Sequence, residues 1–352
     1  MPAATCVALC CSNDVHTGGS PGLRLVRIGI YLDLRNPPEW RRPWVDHYKQ
    51  SLDLVVEAER LGCDSIWLSE HHFFEDGYLP QPLTFAAAVA ARTSTVRIGS
   101  AIMIAPLRSA TQIAEESAIV DILSGGRFEL GLGSGYRVPE YEAFGADISK
   151  RIGTTEERVR EVRRLLDENI VTPPPVQSPF PIWIGYGSPK GAHRAGLHGN
   201  ALLSIDPRLA EPYREGLAAG GHPVSQGRMA GLVNVVVADD PERVWPRLAP
   251  HVSYQLGTYA RYAVEGTGLD VPVAPTGEQL RSDQPGPDEE GVFPHVAVLT
   301  AEQTITLLRR RMTQMPIVDA FFWASFAGMP DDITQRHVEL LSTVVRAGVR
   351  DD

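Results

Sequence analysis

The chain has 352 residues, 43% of them hydrophobic and 22% charged, with a formal net charge of −10. That balance suits a globular fold with a large core, and the negative sign makes nucleic acid a poor partner. No apolar run approaches the roughly 20 residues that cross a bilayer, so no membrane partner and a cytoplasmic location are expected.

Met1 to Leu25 carries Gly18, Gly19, Pro21 and Gly22 without periodicity and reads as a flexible N-terminal extension. No basic segment precedes its short apolar stretch, as a secretory leader would require. A mis-assigned start, with the fold beginning near Val26, and a lipoprotein signal are the alternatives. Cys6, Cys10 and Cys11 fall here, and Cys63 stands apart. This is no disulfide framework, which suits a reducing compartment, and no zinc-ligand spacing accompanies it.

From there, apolar β-branched runs alternate with helical periods. A first strand reads Val26 to Leu32, and its helix Val45 to Leu61 is stopped by Gly62. The second strand is Ser65 to Leu68, with helix Pro82 to Arg92. The third is Val96 to Ile104, with a helix near Ser109 to Leu123. The fourth is Arg127 to Leu132, with helix Thr154 to Asn169 capped by Thr154 or Thr155. After the stiff Pro173 to Pro181 connection, the fifth is Ile182 to Gly185, with helix Pro189 to Leu197. The sixth is Ala201 to Ile205, with helix Leu209 to Ala219. The seventh is Met229 to Val237, with helix Pro241 to Val264. A further helix begins near Thr300. The eighth strand is Val318 to Trp323, with helix Asp331 to Ala347.

Strands separated by helices run parallel with right-handed crossovers, and eight such units predict an α/β fold, the (β/α)8 TIM barrel, over residues 26–350. An open doubly wound sheet is the competing architecture. Gly266 to Pro294 breaks the rhythm with Pro272, Pro275, Pro285, Pro287 and Pro294. This long insertion late in the barrel reads equally as a lid or as a disordered surface loop.

A barrel places its site at the C-terminal strand ends. Three stretches there carry chemistry. Glu70-His71-His72 offers an acid, base or ligand, although strand alternation turns only one histidine inward. Gly131-Leu-Gly-Ser-Gly-Tyr136 lets backbone approach a bound group, or is a simple barrel corner. Gly185-Tyr-Gly-Ser-Pro-Lys190 opens directly into a helix, where free N–H groups suit a phosphate and Lys190 or Arg194 adds charge. Plain capping by Ser188 explains that turn equally well. Asp33 and Trp323 close the first and last strands.

At these residues the chain resembles the bacterial luciferase-like flavin monooxygenases, from about Arg27 onward. The stretches that carry the likeness are Asp64-Ser-Ile-Trp-Leu-Ser-Glu-His-His-Phe73, Val96-Arg-Ile-Gly-Ser-Ala101, Asp121-Ile-Leu-Ser-Gly-Gly-Arg-Phe-Glu-Leu-Gly-Leu-Gly-Ser-Gly-Tyr136 and Glu140-Tyr-Glu-Ala-Phe-Gly145. The resemblance implies a flavin across the barrel mouth, with His71 as the catalytic histidine and Glu70 as a second catalytic residue beside it. It implies a non-proline cis peptide at Ala101-Ile102 beneath the ring, and Gly133, Ser134 and Tyr136 near the cofactor. Gly187, Ser188 and Lys190 would take its phosphate, and Asp33 and Trp323 the substrate. Many FMN-using relatives carry an arginine where Ser134 stands, so either Lys190, Arg137 or Arg194 compensates, or FMN affinity is low, or the cofactor is a deazaflavin.

The implied reaction is a two-component monooxygenation. A separate flavin reductase supplies reduced FMN, O2 adds at C4a, and the peroxyflavin oxidises a small carbonyl-type substrate on what is expected to be a homodimer. Three rivals remain: deazaflavin-dependent hydride transfer, a metal-dependent hydrolase using His71 or His72 with Asp33, and a flavin-binding protein without turnover.

Overall fold

The computed structural model describes residues 25–283 and 294–350. The N-terminal extension, and Pro285 and Pro287 of the late insertion, lie outside the described residues.

The strands are β1 (Arg27–Leu32), β2 (Ser65–Leu68), β3 (Arg97–Ser100), β4 (Met103–Ile104), β5 (Phe128–Gly133), β6 (Ile182–Gly185), β7 (Ala201–Leu203), β8 (Met229–Val233), β9 (Val235–Val237), β10 (Arg281–Ser282), β11 (Val296–Leu299) and β12 (Ile317–Trp323). The order β3-β2-β1-β12-β8-β7-β6-β5-β4, closed by β3 pairing with β5, is an eight-stave parallel barrel. The open-sheet alternative is thereby excluded. Helices α1 (Trp44–Arg60), α2 (Pro82–Arg92), α3 (Ala110–Ser124), α4 (Val138–Ala143), α5 (Arg151–Asp167), α6 (Pro189–Leu197), α7 (Pro207–Ala219), α8 (Pro241–Val264), α9 (Gly277–Leu280), α10 (Ala301–Gln314), α11 (Asp331–Leu340) and α12 (Arg346–Arg350) complete the chain, with a π-helical turn at Leu341–Val345 between the last two. Among the described residues no helix is long and apolar enough to cross a membrane.

Two expected strands are each split. Val96 to Ile104 breaks at Ala101-Ile102, where the peptide is cis, giving β3 and β4. Met229 to Val237 breaks at Asn234, whose Oδ1 accepts from Trp323 Nε1 at 3.2 Å. Beyond it, β9 leaves the barrel and pairs with β11, which pairs with β10, in a separate three-stranded sheet. Buried His337 holds this departure. Its Nδ1 accepts from the Val237 N–H at 2.8 Å, so Nε2 carries the proton and donates to the Trp323 carbonyl at 3.0 Å. Burial pushes its pKa down to about 4, consistent with a neutral ring.

The expected Thr154 or Thr155 cap is also displaced. Helix α5 starts at Arg151, and Thr155 Oγ1 donates back to the Arg151 carbonyl at 2.8 Å from inside the helix. The described part of the late insertion carries α9 and β10; Leu280 packs with Trp245 and Leu248 of α8, and Ser253 Oγ donates to the Pro275 carbonyl.

At the lower end of the barrel the core is charged. Arg27 Nη1 lies 2.6 Å from Glu129 Oε1, and its Nε lies 2.9 Å from Asp319 Oδ2. Arg97 also pairs with Glu129, and Trp183 Nε1 donates to Glu129 at 2.7 Å. Ser65 and Trp67 donate to Asp319. Four staves are thus joined to Glu129 and Asp319 by directional bonds in a low-dielectric interior.

Candidate active site

A cavity of about 310 Å³ opens at the C-terminal ends of the strands. A larger cleft of about 730 Å³ lies on the outside, between α1 and α11. Apart from its inner edge at Arg35 and Ser325, that cleft takes none of the strand-end residues, which makes the smaller cavity the candidate site.

The floor is the Ala101-Ile102 segment. The Ile102 side chain occupies the space beside Gly133 and Gly185, where an added Cβ would sit 2.8 Å and 2.5 Å from it. Glycine at these two strand ends lets Ile102 lie flat beneath the cavity, a shape suited to a planar ring. Glu70 props this floor. Its Oε2 accepts from the Ile104 N–H at 2.8 Å, while Oε1 accepts from Arg108 Nη1 at 2.6 Å and from the His72 ring at 2.7 Å.

One wall is His71. Its Nδ1 lies 2.9 Å from Glu140 Oε1, and its Nε2 lies 3.3 Å from the Tyr136 hydroxyl. Phe74 stacks on the ring at 4.9 Å, and Tyr78 meets it edge-on at 4.8 Å. A chain of phenols continues from that wall. Tyr31 and Tyr78 hydroxyls are 3.4 Å apart, and Tyr78 and Tyr259 hydroxyls 2.6 Å. Burial pushes Tyr31 up to about 12 and raises Tyr78, Tyr136 and Tyr259, so all four are neutral hydrogen-bond donors at physiological pH.

Tyr259 comes from α8, which roofs the cavity, and two buried arginines bolt that roof down. Arg35 pairs with Asp76 at 2.6 Å, donates to the Gln255 carbonyl at 3.3 Å and to Thr258, and lies over the Tyr78 and Tyr259 rings. Arg137 pairs with Glu265 and donates to the His72 carbonyl.

Asp33 sits beside Arg35, 4% exposed, with Oδ1 accepting from the Arg35 N–H at 3.2 Å and Oδ2 without a partner among the described residues. Burial outweighs Arg35 and pushes its carboxyl up to about 7. Between the unfolded pKa of 3.8 and about 7, the folded chain keeps a proton that the unfolded chain releases, so stability falls as pH rises through this window. Replacing Asp33 by Asn should remove that loss. Unfolding free energies from urea titrations at pH 8 should favour Asp33→Asn by on the order of 4 kcal/mol, with the gap closing near pH 4; equal gaps at both pH values would contradict it.

The cavity thus brings together Glu70, His71, Ala101, Ile102, Ser134 and Tyr136. Gly133 lies just beneath, against Ile102. Trp323 stands behind the phenols, edge-on to Tyr31 at 4.8 Å. Gly187, Ser188 and Lys190 are exposed and outside the lining, and Ser188 Oγ accepts from the Gly191 N–H as a helix cap. Of the three cations expected to compensate for Ser134, Arg137 is committed to Glu265. Arg194 is committed to Glu156, with two contacts of 2.5 Å. The rings of His71 and His72 turn to different carboxylates, and the described residues hold no group of three or more ligands arranged for a metal ion. Glu140, Arg35, Tyr78 and Tyr259 were not singled out from the sequence. Only Glu140 had a local signal, its place in the Glu140 to Gly145 stretch.

The model of the luciferase-like monooxygenase family matches residues 26–347. Over 188 residues the chain is 29% identical to an F420-dependent glucose-6-phosphate dehydrogenase of Amycolatopsis mediterranei, covering 47% of this chain and 56% of that one. Over 176 residues it is 27% identical to the oxygenase component of a flavin-dependent trigonelline monooxygenase of Acinetobacter baylyi, covering 46% and 49%. The chain therefore spans about half the length of these curated relatives. A monooxygenase from Streptomyces bottropensis shares the fold with a TM-score of 0.69 at 21% identity, over 90% of this chain and 98% of that one. The barrel, the histidine-edged cavity over Ala101-Ile102 and the match along nearly the whole chain lead to one assignment: this is a member of the luciferase-like monooxygenase family of oxidoreductases.

Proposed function

We propose that the chain is the oxygenase half of a two-component flavin monooxygenase, receiving reduced FMN from a separate reductase and using O2 to oxidise a small organic substrate of carbonyl type. The observation that carries this reading is the convergence of His71, Ser134 and Tyr136 above the flat Ala101-Ile102 floor. The cavity fits a planar ring, with the floor where an added Cβ would intrude. Bound reduced FMN would supply electrons and the site of oxygen activation. The chain's own residues do the rest. Ile102 and Ala101 support the ring, and His71 exchanges a proton at its edge. The neutral phenols of Tyr31, Tyr78 and Tyr259 orient a substrate oxygen, and Asp33 and Trp323 shape the space behind them. The α8 roof keeps bulk water out. Glu70 acts as a support for the floor, since both its oxygens are engaged.

A deazaflavin on the same floor is the second reading. It is favoured by the commitment of Arg137 and Arg194 to Glu265 and Glu156, which leaves exposed Lys190 and the Gly187-Ser188 turn to meet a phosphate. Titrating the protein with FMN and with deazaflavin, oxidised and reduced, while following oxygen uptake separates the two. Tight reduced-FMN binding with oxygen consumption is expected; deazaflavin binding without oxygen use would favour the second, and binding of neither would defeat both. We further infer a homodimer, since Ile119, Ile122 and Leu123 are exposed together on α3; sedimentation equilibrium reads the mass directly.

A further inference from the structure

We propose that Glu140 is the positioning residue that makes His71 the proton acceptor of this site, holding its ring with the proton on Nδ1 and the Nε2 lone pair turned to the cavity. The inference rests on the cavity being the site of chemistry, and it deepens the reading above.

Glu140 lies on α4 and is 0% exposed. Its Oε1 accepts from the His72 N–H at 2.8 Å, which fixes that oxygen as an acceptor. The hydrogen in the 2.9 Å contact to His71 Nδ1 therefore belongs to the imidazole. Nε2 is left with a lone pair, and the Tyr136 hydroxyl, 3.3 Å away, donates to it. Phe74 and Tyr78 clamp the ring from its face and edge, which opposes a flip exchanging the two nitrogens.

The charge around Glu140 points the same way. Its Oε2 has no hydrogen-bond partner among the described residues, and no lysine or arginine there forms an ion pair with it. Arg137, three residues earlier, is spent on Glu265 and the His72 carbonyl. A buried carboxylate in this state gains most when a positive charge appears beside it, and the His71 ring is where one can appear. The step balances simply. An O–H bond of the hydrated carbonyl substrate breaks, an Nε2–H bond forms, the substrate oxygen keeps the electron pair, and the imidazolium stands against the Glu140 carboxylate. The titratable groups facing His71 are Glu140 from α4, Tyr136 after β5, Tyr78 after β2 and Tyr259 from α8, with Arg35 and Arg137 behind the aromatic rings.

The test uses the full chain labelled with nitrogen-15 at histidine, without any flavin, with His71→Asn to assign the His71 resonances. The parent should show His71 protonated on Nδ1 and bare on Nε2 at pH 8. In Glu140→Leu no side-chain oxygen remains to accept from Nδ1, and the Nε2–H form should appear. With reduced FMN, Glu140→Gln should consume flavin roughly 10²-fold more slowly, with FMN affinity within about two-fold. Adding Glu140→Gln to His71→Asn should cost nothing more, because the two act as a unit. An Nε2–H parent, an unchanged tautomer in Glu140→Leu, or additive losses would each overturn the proposal. Should Glu140→Gln fail to fold, the parent spectrum still decides. Should the parent show Nδ1–H while no flavin binds, the flavin reading falls and this assignment stands.

Discussion

Replacing Glu129 by Leu should destabilise the fold by about 3–5 kcal/mol, the largest stability effect expected of any single substitution in the barrel. The side chain is 3% exposed and sits between Arg27 and Arg97, with the Trp183 N–H donating to it. Burial alone would raise its pKa, but Arg27 and Arg97 hold it down to about 2, so the carboxylate is charged throughout the useful pH range. Leucine would leave the Arg27 Nη groups, Arg97 Nε and the indole N–H without their shared acceptor, while Arg27 keeps Asp319 and Arg97 keeps Gln177. Urea unfolding monitored by tryptophan fluorescence measures the loss. The exposed Arg92–Asp53 pair is the control, since truncating Arg92 should cost less than about 1 kcal/mol. The sign with pH also follows. Glu129 contributes stability above its unfolded pKa of 4.5 that is lost as pH falls toward 2, so the variant should lose that part of the acid limb. A midpoint unchanged from the parent would mean that the arginines find water instead.

The largest functional effect should come from His71→Asn, with turnover falling roughly 10²–10⁴-fold while reduced FMN still binds within a few-fold of the parent. Asparagine keeps a polar side chain of similar reach against Phe74 and Tyr78 but cannot take up a proton. His71 touches the cavity through Nε2 and its neighbours through Nδ1, so the substitution removes the proton acceptor and leaves the Ala101-Ile102 floor and its Glu70 support in place. Stopped-flow oxidation of reduced flavin against a separate binding titration distinguishes the two outcomes. Parallel loss of affinity and rate would place His71 in binding alone. Full activity without it would remove the histidine from the chemistry altogether.

The barrel was legible because local pattern and final structure agree along most of the chain. The limits of β6, α6 and α8 match expectation to the residue, since Pro189 and Pro241 mark where helices can begin. The two split strands were not legible. Val235 to Val237 is as β-branched as Met229 to Val233, and periodicity cannot show that Asn234 meets Trp323 and turns the chain out of the barrel. Val296 to Leu299 was passed over for the same reason, because its partner β9 is assigned to the wrong sheet when the seventh strand is read as continuous. At the site, His71 and the Ala101-Ile102 cis peptide were in view because they lie in contiguous motifs. Glu70 was visible too, but its engagement by Ile104, Arg108 and His72 depends on three segments meeting. Glu140 lies 69 residues from His71, and Arg35 lies 220 from Gln255. Contacts at such separations are set by topology and leave no local period.

The excursion that begins at Asn234 has an evolutionary corollary. The flat floor of the cavity is built from β3 to β6, whereas its roof is delivered by α8, on a stretch that has left the barrel and is fastened back through Arg35 and Arg137. Those two surfaces can drift independently. Mutations along the excursion would then reshape the roof, and with it which molecules are admitted, while the floor keeps its form.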